Sequence, residues 1–150
     1  MGRTASEVRE VIRSLDAKVN ELGADECKAL REAVHKKYVK QGRTGWPIWE
    51  DLKEDVSVHA PEGESLRVLR DYVQDRHCVL LFNPPEREGF EFQNGSELVH
   101  VLEECPRLEF YVTDWQASFL VIVNHHDVVI AAGGAMDWLA RIRASRATKN

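Results

Sequence analysis

Two histidines and an aspartate stand together at Asn124-His125-His126-Asp127, between two wholly apolar runs, Phe119 to Val123 and Val128 to Ala132. Imidazole exchanges a proton near neutral pH and is the commonest metal ligand. Paired with a carboxylate, a histidine can serve as a general base or help to hold a metal ion. Successive side chains on extended backbone point to opposite sides. His125 and His126 would therefore not chelate one ion from a regular strand, although a turn lifts that restriction. A catalytic role for His125, His126 and Asp127 could draw on a carboxylate from another loop, Asp114 or Asp137. The competing reading is a plain turn, because Asn and Asp side chains bond nearby backbone. No HExxH or HxH spacing favours a metal, and no cofactor is implied.

Other chemistry is thinner. Gly133-Gly134 before an expected helix could cradle an anion, since helix N-termini offer free N–H groups, but neither GxGxxG nor GxxxxGK[ST] is present. A sharp strand-to-helix turn explains the pair equally. Cys27, Cys78 and Cys105 are odd in number, far apart and set among apolar neighbours. They read as buried hydrophobes rather than nucleophiles, disulfides or zinc ligands. Of the tryptophans, Trp49 and Trp138 suit a core, Trp46 could go either way, and Trp115 would anchor an interface if exposed. Glu50, Asp51, Glu54 and Asp55 crowd one short segment. They form either a solvated helix face or a docking patch for a basic partner.

These residues need elements to position them. Five consecutive apolar residues on either side of the polar break leave no polar face, as in strands buried on both sides. So short a link makes them a hairpin, the expected centre of the fold. Upstream, Val8, Val11, Ile12, Leu15, Val19 and Leu22 recur at helical spacing, with Thr4 and Glu7 at capping-box spacing. A helix is expected over 4–22 and a second over 25–40, so that residues 1–45 would form a helical hairpin. Trp46-Pro47-Ile48-Trp49-Glu50 should open a short helix, with Pro47 in the tolerated first turn. Short strands are expected at 56–58, 78–82, 90–92 and 108–113. Helices are expected at 64–73, after a Ser96 cap, and from Met136 to about Arg143. The expected class is α+β with a mainly antiparallel sheet: one domain, with its sheet-containing core over 46–143 and a polar tail over 144–150.

Charge is unevenly placed. Residues 1–45 hold 10 Lys/Arg and 7 Asp/Glu, residues 46–140 hold 6 and 18, and residues 141–150 hold 4 and none. The middle therefore carries −12. Such a field repels nucleic acid and speeds encounter with a basic protein. The basic tail (Arg141, Arg143, Arg146, Lys149) has no aromatic platform, so nucleic acid is a weak reading for it too. The start MGRTASEVRE lacks the apolar core of a secretory signal, and no run is long enough for a membrane span. A cytoplasmic location is expected.

Leu108-Glu109-Phe110-Tyr111-Val112, Phe119 to Val123, Asn124-His125-His126-Asp127, Val128 to Ala132, Gly133 and Trp138-Leu139 together resemble the closing segment of a group of small bacterial α+β proteins of unknown function. The Trp46 to Glu50 segment and the helix at 96–104 fit the same group, whereas residues 1–45 lie outside the resemblance. It implies that the Asn-His-His-Asp turn is a recurring design, and it carries no reaction with it. In general character the chain is also similar to bacterial immunity proteins. The leading expectation is thus a protein-binding module of immunity, antitoxin or adaptor type. It would hold a basic protein, such as a toxin, through Glu50, Asp51, Glu54, Asp55, Asp114 and Trp115. A small enzyme or ligand-binding protein using His125, His126 and Asp127 is the second reading, and a homodimer subunit is the third.

Overall fold

The computed structural model describes residues 3–147. Among these, five helices surround one seven-stranded sheet. The helices are α1 (Arg3–Leu15), α2 (Ala24–Tyr38), α3 (Glu62–Val73), α4 (Gly95–Glu103) and α5 (Met136–Ala147). The strands are β1 (Val19–Leu22), β2 (Val56–His59), β3 (Cys78–Leu81), β4 (Gly89–Phe92), β5 (Phe110–Thr113), β6 (Phe119–Val123) and β7 (Val128–Gly133). The strand order is β1-β4-β3-β5-β6-β7-β2, and every neighbouring pair is antiparallel. The fold is α+β with an antiparallel sheet, as the alternation of short apolar segments and helices implies.

The 119–132 hairpin forms with Phe119 opposite Gly133 and Val123 opposite Val129. Both its strands are interior, but the middle strand is β5, so the hairpin lies one place off centre. β2 closes its outer side, with Val56 opposite Ala131.

The expected helix over 4–22 is two elements. Asp16 takes a positive φ of 53°, and the Ala17 N–H donates to the Ile12 carbonyl at 3.1 Å, which ends α1 at Leu15. Val19 and Leu22 then belong to a strand. Their three-residue spacing suits one face of a helix, but on a strand it sends the two side chains to opposite faces of the sheet. Val19 joins the core beside α1, and Leu22 joins the core beside α2. The helical hairpin expected over 1–45 is therefore absent. β1 lies between the two helices and carries the chain from one face of the sheet to the other.

Each face has its own apolar cluster. On one, Leu80, Phe82, Phe90, Phe92, Val112, Val121 and Val129 meet residues of α1, α3, α4 and α5. On the other, Val79, Leu81, Tyr111, Leu120, Ile122 and Ile130 meet α2 through Cys27, Leu30, Val34 and Tyr38. The rest of that second face is covered by the segment 44–55, which we call the strap. Ile48 and Leu52 of the strap are buried, while Trp46 and Trp49 are partly so.

The strap is not the short helix its sequence suggests. The Asp51 carbonyl accepts from Lys40 N at 2.8 Å, Lys53 N donates to the Tyr38 carbonyl at 2.8 Å, and Leu52 bridges Val39. These groups are spent on the end of α2 and are not free for a helical ladder. The cap of α4 also differs by two residues from expectation. Asn94 Oδ1 accepts from Ser96 N at 2.8 Å, while Ser96 Oγ donates to the Gln74 carbonyl. The tail expected from 144 is helical to Ala147; residues 148–150, with Lys149, lie outside the described residues, as do residues 1–2.

Candidate functional site at the hairpin tip

The turn Asn124-His125-His126-Asp127 divides its labour. Asn124 is buried, and its Oδ1 accepts from His126 N at 2.9 Å and Val128 N at 3.2 Å. Asp127 N donates to the Asn124 carbonyl, and Asp127 sits at a φ of 61° while its carboxylate pairs with Arg107. This geometry is that of a hairpin loop closed by a left-handed residue. The two outer residues are structural, which frees the His125 and His126 side chains to project from the tip. Both are exposed.

The histidines are not isolated. Their ring centroids lie 3.9 Å apart, and Trp49 of the strap meets them edge-on at 6.0 Å (His125) and 5.6 Å (His126). Glu109 Oε1 accepts from the His125 backbone N–H at 3.1 Å and faces His125 Nδ1 at 2.8 Å. Glu109 is largely sheltered, with 14% of its side chain exposed against 62% for His125. Strand register puts it there. Leu81 pairs with Tyr111, so continuing the ladder sets Asn83 opposite Glu109. Asn83 Nδ2 donates to Glu109 Oε2, and Tyr111 Oη donates to Asn83 Oδ1 at 2.5 Å. A polar chain thus runs from Tyr111 through Asn83 and Glu109 to the exposed imidazole. Burial pushes the Tyr111 phenol well above its usual range, Glu109 adds to that, and hydrogen bonding with the Ile48 backbone and the Asn83 side chain opposes it. Trp46 packs edge-on against the same tyrosine at 5.0 Å.

With Glu109 as a carboxylate, the proton of a neutral His125 sits on Nδ1 and leaves Nε2 as the basic nitrogen. That is the arrangement of an oriented general base. Equally, Trp49, His125 and His126 form a compact aromatic patch fixed from behind by hydrogen bonds. Among the described residues no group of three or more His, Cys, Asp or Glu side chains is placed to hold a metal.

The turn at the other end of β6 is built the same way. The Asp114 carboxylate accepts from Ser118 N at 2.9 Å and from Ser118 Oγ, and Ala117 is left-handed at a φ of 51°. Asp114 is therefore occupied holding its own loop. Trp115 is 38% exposed, and its indole N–H donates to Glu91 Oε2 at 2.8 Å. Glu91 also receives Asn20 Nδ2 and contacts His77 Nε2, and these hydrogen bonds from Asn20, Trp115 and His77 lower its carboxyl to about 2.

The six residues expected at a partner surface are thus dispersed. Glu50 follows Trp49 at the tip, whereas Asp55 precedes Val56, whose partner Ala131 lies toward the other end of β7. Asp51 has Arg43 Nε at 3.7 Å. Trp115 reaches across to β4, on the other side of the sheet's middle from β2. Glu50, Glu54 and Asp55 are exposed and make no ion pair among the described residues. Elsewhere the fold brings cations to the acids: Arg146 to Glu64, Arg70 to Glu103 and Arg107 to Asp127.

The lesser candidates resolve as architecture. The Gly134 N–H is taken by the Ser118 carbonyl at 3.0 Å, and a Cβ on Gly133 would collide with Tyr38. All three cysteines are free, and burial raises their thiols, Cys78 to about 12 and Cys105 to about 11. Trp138 is buried and donates to Asp71 at 2.9 Å. Arg146 of the basic tail also donates to the His59 carbonyl at 2.6 Å, tying α5 to β2.

Glu109, Asn83 and Trp49 are the site residues that sequence reasoning passed over. Glu109 carried one signal: in the run Glu109-Phe110-Tyr111 it shares a strand face with a tyrosine two residues on.

A model of a family of unknown function, DUF6756, matches residues 4–143, and the chain belongs to that family. The match takes in residues 4–45, which the resemblance drawn from the sequence left out. No curated protein and no solved structure matches the chain. Among the described residues no helix is long and apolar enough to cross a membrane.

Proposed function

We propose that this protein is a binding module of immunity or adaptor type whose partner, a basic protein such as a toxin, docks on the hairpin tip and the adjoining strap. One observation carries the reading. The exposed His125 and His126 and the half-buried Trp49 form a ring cluster that is rigid, because Asn124 and Glu109 hold the turn behind it. Pre-fixed aromatic side chains are what binding hot spots are made of. Glu50 adjoins the cluster, and Glu54 and Asp55, farther along the strap and away from the tip, are exposed acids, with no ion pair among the described residues, that would attract a cationic surface. Asp114 and Trp115 drop out of the docking surface, since both are engaged within the protein.

A photo-crosslinking residue at position 126, expressed in the native host, should capture a basic protein. With that protein in hand, the Glu50→Gln/Glu54→Gln/Asp55→Asn variant should associate about tenfold more slowly and with a flatter salt dependence. His126→Ala should speed dissociation. Unchanged rates for both variants would overturn the proposal.

A second reading rests on the 2.8 Å approach of His125 Nδ1 to Glu109. Here the imidazole is a general base for a small substrate. The two readings part at Glu109→Gln. A base would lose its oriented tautomer and its turnover, whereas a docking patch would keep most of its affinity.

A further inference from the structure

A second concavity lies away from the tip, between α2, the start of the strap and the loop after β3. It is a groove of about 800 Å³, within the range of small-molecule sites. Its lining is cationic on a chain whose net charge is −5: Lys28, Arg31, Lys36 and Arg87, against Asp25 and Glu32. Trp46 and His35 supply planar rings at one side, 6.5 Å apart.

Two features distinguish this groove from a solvated basic surface. Arg31 is pinned, not free. Its Nη2 donates to the carbonyls of Phe82 at 3.0 Å and Glu86 at 2.8 Å, and its Nη1 donates to that of Arg87 at 3.2 Å. The guanidinium is thereby locked in place, with no carboxylate bonded to it. Second, two buried nitrogens among the lining residues, Arg31 Nε and His35 Nε2, have no hydrogen-bond partner. Buried polar atoms are nearly always satisfied, and two of the four unsatisfied ones among the described residues belong to side chains that line this concavity. Trp46 is itself held edge-on by buried Tyr111, which fixes a π-face for stacking.

From this geometry we infer that the groove binds a nucleoside phosphate, with the base stacked on Trp46 and the phosphate held among Lys28, Arg87 and Arg31. Size, charge and ring agree on that class. Inorganic phosphate would use the cations alone, and a nucleoside would use the ring alone. The inference does not depend on the docking reading: none of these residues belongs to the tip, and of the ligand-holding residues only Trp46 lies in the strap.

The test titrates the whole protein with AMP, ADP, GMP and CMP, and separately with adenosine and inorganic phosphate, following tryptophan fluorescence and amide NMR shifts. At least one nucleotide should saturate below about 1 mM, with shifts centred on α2 and Trp46. Adenosine and phosphate should each bind about tenfold more weakly or worse, because each forgoes stacking or charged hydrogen bonds. Lys28→Ala and Arg87→Ala change exposed side chains, so both variants should fold normally. Each should weaken the nucleotide about tenfold, as should Trp46→Leu, while Trp46→Phe keeps most of the affinity. Absence of saturation by any nucleotide, or affinity that ignores Lys28→Ala and Arg87→Ala, would overturn the assignment. Equal affinity for inorganic phosphate would reduce the groove to an anion trap and overturn it too.

Discussion

The two faces of the sheet are covered very differently. Four helices close the first face, and its cluster is almost wholly apolar. The second has one helix and an irregular strap, and at the β2 edge Ser57 and His59 stay exposed. Three polar assemblies sit on that thinner face, the Glu109 chain to His125, the Glu91 cluster with Trp115 and the basic groove along α2, whereas Arg146–Glu64, Arg70–Glu103 and Trp138–Asp71 tie the helices of the first face to one another. The difference has a physical reason. A helix layer excludes water from the sheet beneath it along its whole length, so the carboxylates there stay on the helices' outer sides. A strap touches the sheet at a few anchors, Ile48 and Leu52, and leaves concave gaps between them. One face holds the fold together, while the other is where the chain can meet another molecule.

This contrast can be broken by mutation. Phe92 is fully buried under the helices, and Phe92→Ala should cost about 3–5 kcal/mol. Trp46 is larger but only partly buried, and Trp46→Ala should cost about 1–2 kcal/mol. Urea unfolding of both variants measures the gap, and equal losses would mean that the strap is as integral as the helices. Backbone sites sharpen the same point. A Cβ on Gly95 of α4 would come within 2.5 Å of Val73 Cβ and 2.9 Å of the Val73 carbonyl carbon, whereas one on Gly45 of the strap meets nothing within 4 Å. Gly95→Ala should destabilise by about 1–3 kcal/mol, and Gly45→Ala should stay within about 0.5 kcal/mol.

Glu86 joins the two sides. Its buried carboxylate accepts the N–H groups of Thr4 at 2.6 Å and Ala5 at 3.2 Å, which caps α1, while Arg31 of α2 grips its carbonyl from the other face. Anionic caps at a helix N-terminus satisfy orphan donors and favour the macrodipole. Glu86→Ala should cost about 1–2 kcal/mol, with faster amide exchange concentrated in α1. Uniform loss of protection would show that the whole sheet depends on this loop.

The regular elements were largely legible from sequence on both faces, and the strap and the polar contacts of the thin face were not. Runs such as Phe119 to Val123 announce strands buried on both sides, and the stripe Cys27, Leu30, Val34 and Tyr38 announces an inner helix face. Local periodicity suffices there. It misled at Val19 and Leu22, because a spacing of three fits a helix stripe as readily as two opposite faces of a strand. It was silent on Glu109 and Asn83, whose meeting depends on the β3–β5 register and not on any neighbour in sequence. The charge map was legible only as a sum. That Arg146 would reach Glu64, and Arg43 approach Asp51, follows from topology, so the −12 of residues 46–140 is partly neutralised from outside that segment.

The smallest effect concerns Glu91, the thin face's other sheltered carboxylate. Hydrogen bonds from Asn20, Trp115 and His77 hold its pKa at about 2, against an ordinary value of 4.5. A carboxyl depressed in the folded state binds its proton more readily when unfolded. Its contribution is therefore complete above about pH 5 and is lost as pH falls through the folded pKa. Glu91→Gln keeps the size but not the charge. Compared with the parent by thermal unfolding, it should be less stable near pH 6 by at most about 1 kcal/mol, the scale of ion pairs within reach of solvent. The deficit should shrink steadily between pH 5 and about 2 as the parent's own Glu91 is protonated. A deficit that stays constant over that range would locate the role of Glu91 in packing alone, and Trp115 would then owe its position to the Asp114 turn rather than to the carboxylate beneath it.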